Sequence, residues 1–202
     1  MITIFTILIL ILSVVIHEVS HGWVAYALGD PTAKLAGRLT LNPLPHLDPV
    51  GSVFLPLILF ITGSSILFGW AKPVPYNPYN LRAGRWGPAI VGLAGPVSNL
   101  FLAGVFSIII RLTMGAMPIA FFELTAMIII INLSLAIFNL IPIPPLDGSK
   151  ILFALIPYRY HVIEEVLTRY QLFFVLIVIT LIAPLLLPIL SFLFQLGTGL
   201  VI

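Results

Sequence analysis

The chain begins with an apolar run from Ile2 to Leu28 whose strongly polar side chains sit in one cluster, His17, Glu18 and His21. This run exceeds the roughly 20 apolar residues that a helix needs to cross a bilayer. No other feature restricts the fold as much, because backbone in lipid must satisfy its own hydrogen bonds, as a helix or within a closed barrel. The run has no basic leading segment and no small-x-small cleavage site, and it continues through the polar cluster. It therefore reads as a retained membrane helix, not a signal peptide. Hydrophobic residues make up 60% of the chain and charged residues 8%, against about 25% charged in average soluble domains. A soluble fold would leave roughly a third of this surface in water, so lipid is the solvent for most of the chain.

Four segments read as spans: 2–28, 88–112, 120–142 and 171–196, the last with a kink or hairpin at Pro184 and Pro188. The stretch 50–70 differs, because Val53–Ile61 is too short to cross and Thr62-Gly63-Ser64-Ser65 interrupts it. It reads as a re-entrant segment shielded by protein. Charge bias supports this. If 50–70 re-enters, Lys34, Arg38, Lys72, Arg82, Arg85, Lys150, Arg159 and Arg169 share one face and only Arg111 lies opposite. If it spans, the bias weakens to six against three. By the positive-inside rule the basic face is cytoplasmic and Met1 lies outside. The expected fold is an all-α polytopic membrane protein, one domain over 1–202. It is a helical bundle with a re-entrant segment and a short β hairpin or strand after the first helix. The strand expectation rests on Lys34–Leu41, which alternates loosely and ends at Asn42-Pro43.

His17-Glu18-Val19-Ser20-His21 matches H-E-x-x-H. Histidines at i and i+4 project from one helix face, and two imidazoles so placed can reach one zinc at about 2.0–2.1 Å. Glu18 is rotated away from that pair and can approach water without binding the metal. Polar groups like these are costly in a membrane helix, so a functional role is the default; the competing reading is a cluster that joins helices by hydrogen bonds. At 1.5 Å per residue, His17 lies about 22 Å from Ile2, roughly 8 Å short of the far boundary of a ~30 Å core. The chain has no cysteine, which excludes disulfides, thiolate zinc sites and a cysteine nucleophile. A net charge of +2 gives no basis for a nucleic-acid partner.

Catalytic zinc usually takes three protein ligands and one water. The candidates for the third are Asp30, His46, Asp48, Glu123, Asp147, His161, Glu164 and Glu165. Glu123 falls on the outer side; His161, Glu164 and Glu165 lie in a polar stretch; Asp30 and Asp48 carry turn signals. His46 remains as a loop ligand. Asp147 is favoured, because the helix before it runs down to the level of the histidines and is broken by Pro142, Pro144 and Pro145. Broken backbone at membrane depth lines a cavity or is buried in protein. The alternative is that Asp147 caps the helix that follows. The two helices must also bring their ends to one face, which a spanning 50–70 would prevent.

Together, His17–His21, Gly95-Pro96-Val97-Ser98-Asn99 and Asn139 through Gly148 resemble the site-2 proteases, intramembrane zinc metalloproteases, over about residues 10–155. The resemblance implies one Zn2+ per chain held by His17, His21 and Asp147, with Glu18 as catalytic base. It points to Asn139 as a residue that helps hold the substrate backbone and to Asn99 as a second family position near the site. For both asparagines the alternative is helix–helix hydrogen bonding. It implies regulated intramembrane proteolysis of transmembrane protein substrates in a prokaryotic cell membrane. No room is seen for a PDZ or CBS domain. Gly37, Arg38, Leu39 and Thr40 are expected at the substrate, because residues 36–42 would offer a free strand edge to an unwound segment. The competing classes are a metal transporter, a non-catalytic adaptor that holds membrane helices, and a CAAX-processing type of protease with a downstream Glu ligand.

Overall fold

The computed structural model describes residues 2–54, 58, 61–62, 71–116 and 118–200. Three helices among these residues are long and apolar enough to cross a membrane: α1 (Ile2–Ala27), α3 (Gly87–Thr113) and α4 (Ile119–Asn139). Between the first two lies α2, a single turn at Thr32–Leu35. After α4 come α5 (Gly148–Leu155), α6 (His161–Arg169), α7 (Gln171–Ile177) and α8 (Leu187–Thr198). Each span ends on a local signal. α1 gives way to Gly29, whose φ of 106° needs a residue without Cβ. α3 starts with Pro88 in its first turn, where a missing N–H is harmless. α4 follows Pro118 and stops at Asn139, three residues short of Pro142.

α1 and α3 pack antiparallel. As α1 runs from Ser13 through His17 to His21, its partners on α3 run backwards from Asn99 through Gly95 to Val91. At the end of this pair the Arg82 amide donates to the Leu28 carbonyl at 2.9 Å. The chain therefore returns by residue 82 to the side it left at residue 28. The re-entrant reading of 50–70 itself falls largely outside the described residues; of that stretch, Pro49–Phe54 forms a π-helical turn.

α4 folds back against α3 through a short connection. Ala103, Ile110, Ile129, Leu133 and Phe194 form the main core among α3, α4 and α8. Lipid gives helices no hydrophobic reason to associate, so close packing of small residues matters. The buried positions of α3 include Gly87, Ala89, Gly92, Gly95 and Ala103, whereas Phe101, Ile108 and Leu112 stay exposed on its outer side.

One expectation needs correction. No strand occurs among the described residues, and 34–41 is fully described. Asp30 accepts the Thr32 amide and hydroxyl, which starts a helical turn at Thr32–Leu35. Gly37 then takes φ 66°, and its amide and that of Arg38 bond back to Lys34 and Ala33. This reversal is incompatible with a pleat through Lys34–Gly37. The region 171–196 is interrupted near Pro184 and Pro188, where a kink or hairpin is expected. It passes from α7 through a π-helical turn (Val178–Ile182) and a 3-10 turn (Ala183–Leu186) into α8. Pro184 has no amide to donate, and Pro188 sits in the first turn of α8.

Asp30 holds the loop beyond α1. It is fully buried, and its carboxylate accepts from the Thr32 amide and hydroxyl, the Asn80 side chain and the Asn77 amide. Burial pushes its carboxyl up, but the donors on Thr32, Asn80 and Asn77 outweigh burial and hold it below its usual value. A depressed folded value stabilises the fold above the unfolded carboxyl pKa of about 3.9, and this stabilisation is lost as pH falls through the folded value. Asp30→Ala should lower stability in detergent by about 2–4 kcal/mol near pH 7, by stranding these donors. Thermal unfolding against pH should show the gap to wild type narrowing in acid; a gap independent of pH would contradict the assignment.

Candidate metal centre

His17 and His21 sit one turn apart on the buried face of α1, their ring centroids 4.7 Å apart and edge to face. α3 crosses them at Gly95. A Cβ there would lie 2.5 Å from the Nε2 atoms of both rings, so only glycine leaves the space between the imidazoles open. The third group arrives from the break after α4. Asp147 Oδ2 lies 3.0 Å from His17 Nε2 and 3.1 Å from His21 Nε2. Among the described residues this trio is the group whose ligand atoms converge, all within 4.8 Å of one another.

The remaining polar atoms of the trio are occupied. His17 Nδ1 donates to Asn99 Oδ1, and His21 Nδ1 donates to the Val91 carbonyl at 2.6 Å. Both rings therefore keep the Nε2 lone pair for the shared point. Asp147 Oδ1 accepts from Lys150 Nζ at 2.9 Å, which leaves Oδ2 to face the rings. The Lys150 ammonium beside Asp147 favours its ionised form. Two imidazole nitrogens and one ionised carboxylate oxygen form a donor set typical of catalytic zinc. A tetrahedral site with bonds of about 2.0–2.1 Å has edges of roughly 3.3 Å, close to the two separations between Asp147 and the rings. The residues fit the metal.

Local sequence explains how Asp147 gets there. Gly148 is packed so closely that a Cβ would meet the carbonyl oxygens of Leu140 and Ile141. Ile141 and Leu146 pack on Val178, which anchors the loop on the C-terminal segment. Asp147 occupies the N-cap position of α5, but its side chain makes no capping bond. Glu18, between the histidines in sequence, turns aside: its Oε2 accepts the Val74 amide at 2.9 Å.

The other candidate ligands lie elsewhere. His46 is buried, with Nε2 donating to the Thr40 carbonyl. Asp48 accepts the Val50 and Gly51 amides, and His161 faces Glu165 at 4.0 Å on an exposed turn. Glu123 and Glu164 are exposed. Of the residues expected near substrate, Asn99 lies inside the centre as the partner of His17. Asn139 donates to its own helix at Leu135, Leu39 packs over Gly22 one residue beyond His21, Gly37 is exposed, and the Thr40 hydroxyl accepts the Asn42 amide. Arg38 is buried and clamps the carbonyls of Lys72 and Pro73. Sequence reading overlooked Ser13, Asn132 and Lys150. The signal for Asn132 was an amide in the middle of an otherwise apolar span.

Buried between lipid-spanning helices, this centre defines the protein's class: a membrane-embedded zinc metalloprotease. Comparison with known proteins gives the family. Residues 112–182 match Peptidase family M50. The chain is 41% identical, over 76% of its own length and 69% of the relative's, to a Bacillus subtilis (strain 168) protein named "Putative zinc metalloprotease YwhC". It is 30% identical to "Putative zinc metalloprotease Rip2" of Mycolicibacterium smegmatis, over 86% of this chain and 65% of that one. Its identity to the Rip2 protein of Mycobacterium tuberculosis (strain H37Rv) is 32%, over 68% and 52% of the two lengths. No solved structure matches the chain significantly. The chain belongs to Peptidase family M50, the site-2 protease family.

Gly95→Ala should empty the centre without unfolding the bundle, because its Cβ takes the space between the two Nε2 atoms. Zinc content of the purified variant should fall to background while its helical circular dichroism stays near wild type. Full zinc occupancy in Gly95→Ala would contradict the placement.

Proposed function

We propose that this chain hydrolyses peptide bonds within transmembrane segments of other membrane proteins, as a step of regulated intramembrane proteolysis. His17, His21 and Asp147 act as the zinc ligands and Glu18 as the general base. The observation that carries this reading is the convergence of three ligand atoms from α1 and the break after α4; Glu18 follows His17 in the chain and is held by the Val74 amide.

Zinc held there supplies Lewis acidity toward water and a peptide carbonyl. The chain's own groups do the rest. Glu18, as carboxylate, takes the proton of the attacking water on a side-chain oxygen and later delivers it to the leaving amine. Its Oε2 is held by the Val74 amide, which leaves Oε1 for that transfer. Asn99 and the Val91 carbonyl hold the two rings by Nδ1, and Lys150 holds the far oxygen of Asp147. Water needs a route to this point. A cavity of about 500 Å³, lined by Tyr76, Arg85, Lys150, His161 and Glu164, is bounded by the same Lys150 that bonds Asp147, which supports entry from the basic side of the chain. By the distribution of Lys and Arg, that side is cytoplasmic. Asn139 and the stretch from Gly37 to Thr40 are read as the substrate side of the centre. Leu39 supports this by its position over Gly22, next to His21.

The test compares Glu18→Gln and Asp147→Ala with wild type on a membrane-protein substrate in detergent, with bound zinc measured in each. Glu18→Gln should keep its zinc and lose cleavage by at least about 100-fold. Asp147→Ala should lose zinc and cleavage together. Cleavage at the wild-type rate in Glu18→Gln, or full zinc in Asp147→Ala, would contradict the assigned roles.

A further inference from the structure

We propose that Asn132, in the middle of α4, is a positioning residue for zinc. Through Asn99 it fixes which nitrogen of His17 carries the proton. The inference rests on the reading of His17 Nε2 as a zinc ligand.

An asparagine side chain has an oxygen that accepts and a nitrogen that donates, with nearly the same shape, so its partners decide which way it faces. Asn132 Nδ2 lies 2.9 Å from the Ile128 carbonyl and 3.0 Å from Ser13 Oγ. A backbone carbonyl only accepts, so the nitrogen must face Ile128, and Oδ1 is turned to Asn99. Asn99 Nδ2 lies 2.8 Å from that oxygen and 3.5 Å from the Ser13 carbonyl, a second acceptor. The Asn99 nitrogen is thereby committed, and its Oδ1 is the atom presented to His17 Nδ1. An acceptor at Nδ1 selects the ring form with hydrogen on Nδ1 and a free lone pair on Nε2, the atom that faces Asp147 and His21.

The reverse arrangement shows what Asn132 prevents. If Asn99 turned over, its NH2 would face Nδ1, the proton would move to Nε2, and no lone pair would remain for a metal. Asn99 and Asn132 are fully buried, and Ser13 and His17 are nearly so, so no solvent compensates a wrong orientation. His21 needs no such chain, because its Nδ1 meets a backbone carbonyl directly. The bland alternative is that Asn99 and Asn132 only fasten α3 to α4.

A double-variant cycle separates the two. The zinc Kd is measured by chelator competition on full-length protein in detergent, for wild type, Asn132→Leu, Asn99→Asp, the double variant and His17→Ala. Asn132→Leu should weaken zinc by about 10–100-fold, as loss of a ligand's supporting partner does. A carboxylate at position 99 accepts through both oxygens and cannot be turned the wrong way, so in the Asn99→Asp background the same leucine should cost less than about threefold. Equal loss in both backgrounds, or none with Asn132→Leu, would overturn the proposal. If His17→Ala itself keeps wild-type affinity, the ligand reading fails, and the inference falls with it. Should the leucine variant not fold, Asn132→Ser, too short to reach Asn99, takes its place. Nitrogen-15 spectra of histidine-labelled, zinc-free protein give a second readout. His17 should carry hydrogen on Nδ1 in wild type and a mixture of forms in the position-132 variant; an unchanged Nδ1–H would also overturn it.

Discussion

A polar group that leaves water for lipid must find its partner inside the protein or destabilise the fold, and this condition governs most of what the chain does at membrane depth. Ser13, His17, His21, Asn99, Asn132 and Asp147 are all buried, and each has a partner from another element. α1, α3, α4 and the break after α4 are thus tied together by the same atoms that prepare the centre. The bundle and the site are one construction: a helix moved out of place would strand a polar group in hydrocarbon.

Close approach makes these bonds possible. Gly95 lets α3 lie against both imidazoles, Gly22 lets Leu39 and Val74 pack on the turn after His21, and Gly148 lets the loop fold under the end of α4. The Val74 contact brings its amide to Glu18, so the extended stretch after residue 71 is part of the wall around the proposed base. Arg38 fastens that stretch by its two carbonyl contacts, and the Lys72 amide bonds to the His46 carbonyl from the other side. Arg38, expected from sequence at the substrate, and His46, weighed as a loop ligand, both take part in holding this wall.

The three long helices were legible in the sequence because lipid imposes a length and a composition that soluble folds do not. The trio was legible because H-E-x-x-H fixes a spacing and Asp147 follows a helix that prolines break at the right depth. The supposed strand failed because loose alternation over eight residues is a weak signal. Asp30 and Gly37, three residues before Ala33 and four after it, decided the local backbone instead. Lys34–Leu41 shows how hydrogen bonds accepted by a single buried carboxylate outrank side-chain pattern. Asn132 and Lys150 were missed for another reason. Their roles depend on which atoms of neighbouring elements they face, and no spacing within one helix reveals that.

The most direct measurement is X-ray absorption at the zinc edge of the purified protein, compared with His17→Ala, His21→Ala and His46→Ala. Two imidazoles and further oxygen ligands should surround the metal. One imidazole should disappear in each of the first two variants, and His46→Ala should leave the spectrum unchanged. Three or more imidazoles in the wild type, or a spectrum altered by His46→Ala and not by His17→Ala, would contradict a centre built from α1 and the break after α4.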